Sequence, residues 1–314
     1  MKIRLGYVAI SKAIDESTSK TITYTNFIKE NKNIDNLNEI TDNNLSSLIK
    51  ILNYNIKNNL HFYRLTSKLI PLATHKDVKY DYLIKHKDKF REISKLIEKN
   101  NLRIDLHPDQ YAVLNSTNKE VVENTFEILK YHYKILSKLN IKDKIIILHV
   151  GSNAFGKENS IKRFINNFNK LPQKIKKCIA VENDDKIFTI EDTLTISNNL
   201  DIPIVLDYHH FNCNHTNENI EEFIHQVFST WKDKTPKIHF SSPKSKLKKE
   251  FRSHSDYINV DEFIDFIEKI KFINKDFDIM LEAKAKDDAL YRLVRQLKYK
   301  TNYKFLDESS FIVK

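Results

Sequence analysis

The chain is short of glycine, cysteine and long apolar runs, and each shortage excludes something. Three Gly in 314 residues leave no glycine-rich phosphate loop, and neither G-x-G-x-x-G nor a Walker sequence occurs. The two cysteines, Cys178 in an apolar run and Cys213 in a polar loop, lack C-x-x-C spacing. They imply neither a disulfide framework nor a thiolate zinc site and read as free thiols. The longest apolar stretches, around Ile145–Val150 and Ile202–Leu206, fall far short of the ~20 residues a membrane helix needs. The start, Met1-Lys2-Ile3-Arg4-Leu5-Gly6-Tyr7, runs straight into a strand-like pattern with no apolar leader. We expect a cytoplasmic protein with no membrane and no obligate protein partner.

What is present is ordinary globular material. At 40% hydrophobic and 11% aromatic residues, the chain is neither disordered nor fibrous. Its length suits one large barrel or two small domains. Lys and Arg outnumber Asp and Glu by 52 to 42, a net charge of +10, which favours polyanionic partners. Only eight of those cations are Arg, and the chain is crowded with Lys, Asn and Ile. A codon bias produces the same composition, so charge alone does not identify nucleic acid.

Short β-branched runs alternate with segments of helical period. The strand candidates are Ile3–Ile10, His61–Ser67, Arg103–His107, Lys144–Gly151, Lys177–Asn183, Ile202–His209, Lys237–Ser241 and Asp278–Lys284. The amphipathic segments are Leu45–Asn59, Asp81–Lys99, Lys119–Leu139, Ser160–Lys170, Ile190–Leu200, Glu218–Trp231, Val260–Lys271 and Asp287–Tyr299. This alternation predicts an α/β fold, a single (β/α)8 TIM barrel, with a doubly wound open sheet as the competing arrangement. No linker divides the chain, so we expect one domain over residues 1–303 and a short docking tail over 304–314. The longest basic loop, with Lys244, Lys246, Lys248 and Lys249, follows the seventh strand.

In such a barrel the C-terminal strand ends form the active face. Seven successive strand ends each deliver an imidazole or carboxylate there. They are His75 after strand two, His107 after three, His149 after four and Glu182 after five, then Asp207 with His209 and His210, His239, and Glu282. Three carboxylates crowded into one mouth are costly as bare anions. Divalent cations resolve that cost, and mixed carboxylate and imidazole sets suit Mn²⁺, Zn²⁺ or Fe²⁺. Lys237 and His239, two apart on one strand, point the same way, which sets an ammonium among ligands. It calls for a substrate phosphate or a chemically modified side chain. His61, His86, His132 and His225 lie at strand starts or within helices and read as structural, while His209 and His215 stay ambiguous.

The motifs resemble those of the UV damage endonucleases, a DNA-repair family with a TIM barrel related to endonuclease IV. They include Arg4-Leu5-Gly6-Tyr7-Val8, Phe62-Tyr63-Arg64-Leu65-Thr66-Ser67 with Pro71 and His75, and His107-Pro108-Asp109-Gln110-Tyr111. Further along come Leu148-His149-Val150-Gly151, Val181-Glu182-Asn183-Asp184, Asp207-Tyr208-His209-His210, Lys237-Ile238-His239, His254-Ser255-Asp256-Tyr257 and Leu281-Glu282-Ala283-Lys284. The resemblance implies two or three metal ions, usually manganese, on His75, His107, His149, Glu182, Asp207, His210, His239, His254 and Glu282. His254 enters only through the resemblance. Catalytic weight falls on Glu182, Lys237 and Glu282, and Lys237 matches a lysine that can be carboxylated. Gln110 and Tyr111 match a pair that probes the duplex at the lesion, and Tyr7 matches a residue near the damaged bases. Ser11 and Ser152 depart from the family, which can have Asn and a second Gly there.

The implied activity is metal-dependent hydrolysis of damaged double-stranded DNA immediately 5′ of a UV photoproduct, with abasic sites and other distorting lesions as further candidates. Lys237, Lys244, Lys246 and Lys248 would lie on the substrate. Asp109 or Asn183 would orient imidazoles. The alternatives are a metal-dependent sugar isomerase or epimerase on a related barrel, and a module that binds damaged DNA without cutting it.

Overall fold

A computed structural model describes residues 1–215 and 219–314. In chain order the strands are β1 (Lys2–Val8), β2 (Ile10–Ser11), β3 (Glu16–Ser17), β4 (Phe62–Leu65), β5 (Arg103–Leu106), β6 (Ile146–His149), β7 (Ile179–Glu182), β8 (Ile204–Asp207), β9 (Lys237–Phe240), β10 (Phe277–Leu281), β11 (Lys304–Phe305) and β12 (Ser310–Ile312). β1 and β4 to β10 run parallel in that order, and β10 pairs back onto β1 through Ile3–Phe277 to Gly6–Met280. The sheet is therefore closed, and the eightfold barrel is the one the alternation predicts. Buried strands with helices outside read as short continuous apolar runs, which is how the sequence presents them.

Helices fill the outer layer. The one before β4 spans Ile34–Lys57 and begins well before the expected Leu45, because Asn33 caps it by accepting from the amides of Asp35 and Asn36. Thr189 and Asp192 form a reciprocal capping box at the start of helix Ile190–Leu200. Helix Ile220–Ser229 covers the segment predicted from Glu218, and Glu218 itself lies outside the described residues. No helix among the described residues is long and apolar enough to cross a membrane.

The segment 304–314 joins the barrel sheet. β12 pairs antiparallel with β1 through Lys2–Ile312 to Arg4–Ser310, and Leu5 donates to the Ser309 carbonyl at 2.8 Å. Phe311 is fully buried. Unpaired amides at the start of β1 are satisfied this way rather than by water.

β1 and β4 approach closely at Gly6. A Cβ there would lie 2.6 Å from Phe62 Cδ1 and 2.7 Å from the Phe62 carbonyl oxygen. Backbone cannot yield as a side chain does, so Gly6→Ala should cost about 1–3 kcal/mol. The urea midpoint of the variant checks it.

Candidate metal centre

Strand residues two apart point to one side, so the barrel interior is built in layers. At the floor Arg4 and Arg103 each pair with Asp278 at 2.6 Å. One step up, Lys237 donates to Asp105 Oδ2, and Arg64 Nε reaches Asp105 Oδ1 at 3.3 Å. The Lys237 ammonium also lies 5.2 Å from the Phe62 ring centroid.

In the top layer Glu182 is the hub. Its Oε2 lies 2.8 Å from His107 Nε2 and its Oε1 2.7 Å from His239 Nδ1. His149 Nε2 and His210 Nδ1 follow at 3.7 and 3.8 Å. Glu282 Oε1 is 2.5 Å from Arg64 Nη1 and 3.3 Å from His239 Nδ1. Asp207 Oδ2 closes the ring at 3.7 Å from His210 Nδ1 and 4.0 Å from His239 Nδ1. Three overlapping sets of ligand atoms each fit within 4.8 Å: His107, His149, Glu182; Glu182, Asp207, His210; and Asp207, His239, Glu282.

Local structure explains why His210 and not His209 faces the cluster. The chain turns helical at Tyr208, with Asp207 as cap accepting from the His210 amide at 2.8 Å. His210 thus stands one helical turn above Asp207, while His209 packs behind, 3.8 Å from Cys213 Sγ. The Asn183 side chain accepts from the Asp207 amide and donates to the Asp207 carbonyl, both at 2.9 Å, tying the end of β7 to the end of β8.

Hydrogen-bond direction shows that the residues fit divalent cations. His107 Nδ1 lies 3.0 Å from the Pro108 carbonyl, which only accepts, so the proton is on Nδ1. Its bare Nε2 lone pair then faces a carboxylate oxygen. His210 Nδ1 likewise faces the Asn183 carbonyl at 3.1 Å and so carries a proton, which leaves Nε2 as the nitrogen with a free lone pair. Asp207 Oδ2 and His149 Nδ1 are buried without a partner. A lone pair facing a carboxylate at His107, beside two buried polar atoms left without a hydrogen bond, suits a cation set among them.

The UV-endonuclease UvdE family model matches residues 3–309. The chain belongs to that family. The UV DNA damage endonuclease of Bacillus cereus (strain 03BB102) is 42% identical over 303 residues, covering 95% of each chain. The solved structure of SacUVDE superposes with a TM-score of 0.86 at 34% identity, covering 95% of this chain and 98% of that one. Endonuclease IV from Thermus thermophilus, at 13% identity and a TM-score of 0.57 over 94% of this chain and 99% of its own, shares the fold.

Set against the residues expected from UvdE resemblance, the cluster holds His107, His149, Glu182, Asp207, His210, His239 and Glu282. His254 flanks it, hydrogen-bonded to the Glu282 backbone, with its ring 6.3 Å from that of His210. His75 is not brought into the cluster. A turn closed by His75 N to Leu72 O at 3.0 Å carries it outward, and its ring stacks on Tyr24 at 3.7 Å. Tyr7 is fully buried on the helix side of β1, because Arg4 and Gly6 take the inward positions, and its hydroxyl donates to Asn55 at 2.7 Å. In this arrangement it cannot touch a lesion.

Gln110 and Tyr111 are exposed on the loop after β5, Tyr111 at 73%. Phe155, on the next loop, is 80% exposed and was not singled out by sequence. Lys246 and Lys248 are exposed, but Lys244 is paired with Glu250. Asp109 orients no ring; it accepts from Ser67 at 3.0 Å. Ser11 is buried on Asp287 at 2.5 Å, and Ser152 is clamped through both backbone groups by the Asn115 side chain.

Burial dominates the electrostatics. It pushes Asp207 up to about 7, helped by the charges of Glu182 and Glu282. His239 is pushed down to about 3 and Lys237 to about 7, both by burial. For His210 burial is outweighed by Asp207, Glu182 and Glu282, which raise it to about 9. Burial also opposes the charge on Glu182, yet His239, His149 and His107 hold it well below the carboxylate range.

A carboxyl raised in the folded state contributes stability below its unfolded value, near 3.9, and loses it as pH rises through about 7. Metal-free Asp207→Asn should therefore gain on wild type from pH 4 to pH 8 and melt several degrees higher at pH 8. Thermal melts in chelator at the two pH values check this.

Proposed function

We propose that the protein nicks damaged double-stranded DNA at the phosphodiester immediately 5′ of a UV photoproduct, leaving a 3′-hydroxyl and a 5′-phosphate. The observation that carries this reading is the Glu182 hub, with imidazoles on both oxygens beside Asp207 and Glu282, in a chain of the UvdE family. Two or three Mn²⁺ ions would be held by His107, His149, Glu182, Asp207, His210, His239 and Glu282, with His254 at the margin. Bound there, divalent cations would acidify water and neutralise charge on the phosphate and the leaving oxygen. The chain's own residues hold the carboxylates apart, fix the imidazole protons and keep the floor dry.

Photoproducts stack and pair poorly, so extruding them costs less than extruding normal bases. Gln110 and Tyr111 would occupy the vacated stack, a reading supported by their exposure on one rim loop. Lys246 and Lys248 would hold flanking phosphates, so affinity should fall steeply with salt. Lys237, buried and pushed down to about 7, has a neutral amine available at neutral pH, the form that takes up carbon dioxide as a carbamate. Intact mass of the metal-loaded protein tests that modification.

The decisive experiment is a labelled duplex carrying one cyclobutane dimer, incubated with Mn²⁺ and mapped. A cut 5′ of the dimer is expected. Cleavage at abasic sites alone would move the reading toward endonuclease IV chemistry, and sugar epimerisation without DNA affinity would overturn it.

A further inference from the structure

The turn after β10 holds a lysine that neither the fold nor the cluster requires. Ala285, Lys286, Asp287 and Asp288 form a β-turn closed by Asp288 N to Ala285 O at 3.1 Å. Lys286, at its second position, has φ 57° and ψ −124°. That is the corner of a type II′ turn, where glycine is the residue without a steric penalty. An L side chain held there is strained, and such strain persists only where the surroundings over-determine it.

They do so here. Asp287 is fully buried and accepts from Ser11 Oγ at 2.5 Å, Lys12 N at 2.7 Å and Ala13 N at 3.3 Å. On the other side Lys284 and Ala285 donate to the carbonyls of Ser255 and Asp256 at 3.1 and 3.0 Å, next to His254. The turn is bolted to loops on both flanks, and glycine at 286 would satisfy every one of those bonds.

The side chain gains nothing structural in return. Lys286 is half-buried, and its ammonium has no hydrogen bond or ion pair among the described residues. It lies in the turn four residues past Glu282, at the C-terminal end of β10 and tied to the loop that carries His254, where burial opposes its charge, Glu282 favours it, and Arg64 and Lys12 repel it. Lys12 and Lys284, the neighbouring rim lysines, are exposed. A half-buried cation without a partner, on a strained turn at the rim of the metal centre, is a site for an anion.

We propose that Lys286 binds a phosphodiester oxygen of the DNA at the cut, presented to it by the strained turn. This rests on the nuclease reading above. Lysine serves as a point charge for phosphate, which needs no planar fork.

Three variants test it. Lys286→Met keeps the strain and removes the charge, Lys286→Gly removes both, and Lys286→Arg keeps the charge. Binding of chelator-treated protein to a fluorescein-labelled, dimer-containing duplex is followed across a salt series, and single-turnover nicking is measured with Mn²⁺. The Met and Gly variants should nick on the order of 10- to 100-fold more slowly, and the slope of log affinity on log salt should shrink by about 1. Arg should recover part of both. Lys286→Gly alone should melt a few degrees above wild type, gaining stability as it loses function. Wild-type slope and wild-type nicking in Lys286→Met would overturn the assignment while leaving the nuclease reading intact. A wild-type protein that neither binds nor nicks the duplex sinks that reading, and Lys286 with it.

Discussion

Glu182→Gln should reduce nicking of a dimer-containing duplex by about 10³-fold or more. The substitution keeps the shape and removes the charge at a position shared by two of the three ligand sets, with His239 of the third 2.7 Å from its Oε1. Metal-supplied stabilisation of a reacting phosphate is worth several kcal/mol, and each ~1.4 kcal/mol is tenfold in rate. The replacement amide also conflicts locally. His239 Nδ1, with Arg64 donating to the other ring nitrogen, carries its proton toward Glu182 Oε1, so an amide NH₂ facing it would set donor against donor. The Mn²⁺-induced rise in melting temperature should vanish together with cleavage. That second measurement separates a lost metal centre from a misaligned substrate, for which the thermal shift would survive. Wild-type nicking by the variant would mean that Glu182 is not the hub the distances describe.

How far the sequence foretold this centre depends on strand parity. The rim positions were legible because short apolar runs ending in His, Asp or Glu recur in order, and a parallel barrel gathers those ends. Parity, applied to Lys237 and His239, put a lysine inside the barrel, and it is there, fully buried. The same period of two places Asp105 beneath His107 on β5 and sets Tyr7 opposite to Gly6 on β1. The signal for Lys237's partner, and for the burial of Tyr7 against Asn55, was therefore in the sequence.

Other features have no such period. His75 lies in a long loop whose path is decided by local turns and by stacking on Tyr24. His210 depends on the chain turning helical at Tyr208, which breaks the strand rule in the middle of a motif. The sheet edge taken up by 310–312 depends on pairing with residues at the opposite end of the chain, and no local pattern encodes that. Lys286 reads in sequence as one of many lysines. Only its backbone angles distinguish it.

Arg64 is the residue whose removal should cost the fold most. It lies in a matched motif, yet its role becomes visible only where Nε meets Asp105, Nη1 meets Glu282 and Nη2 meets His239. Burial opposes its charge, and Glu282 and Asp105 outweigh that. Arg64→Met fills similar volume but leaves Asp105 with Lys237 and takes from Glu282 the one Arg or Lys ion pair it has among the described residues. Breaking a buried ion pair from one side typically costs about 3–5 kcal/mol, a large part of the 5–15 kcal/mol on the order of which whole domains are stable. The guanidinium also fixes where Glu282 stands, so the loss should be partly reversible. A divalent cation that binds only the folded state adds stability by mass action, and with Arg64 gone it would also relieve the stranded carboxylate. Denaturant midpoints should therefore fall sharply in chelator and recover more with Mn²⁺ than those of wild type do. Arg64→Lys, with a point charge that cannot reach three acceptors at once, should lie between the two. Equal midpoints for wild type and Arg64→Met in chelator would show that the buried network contributes nothing net, and that Glu282 is held by its strand alone.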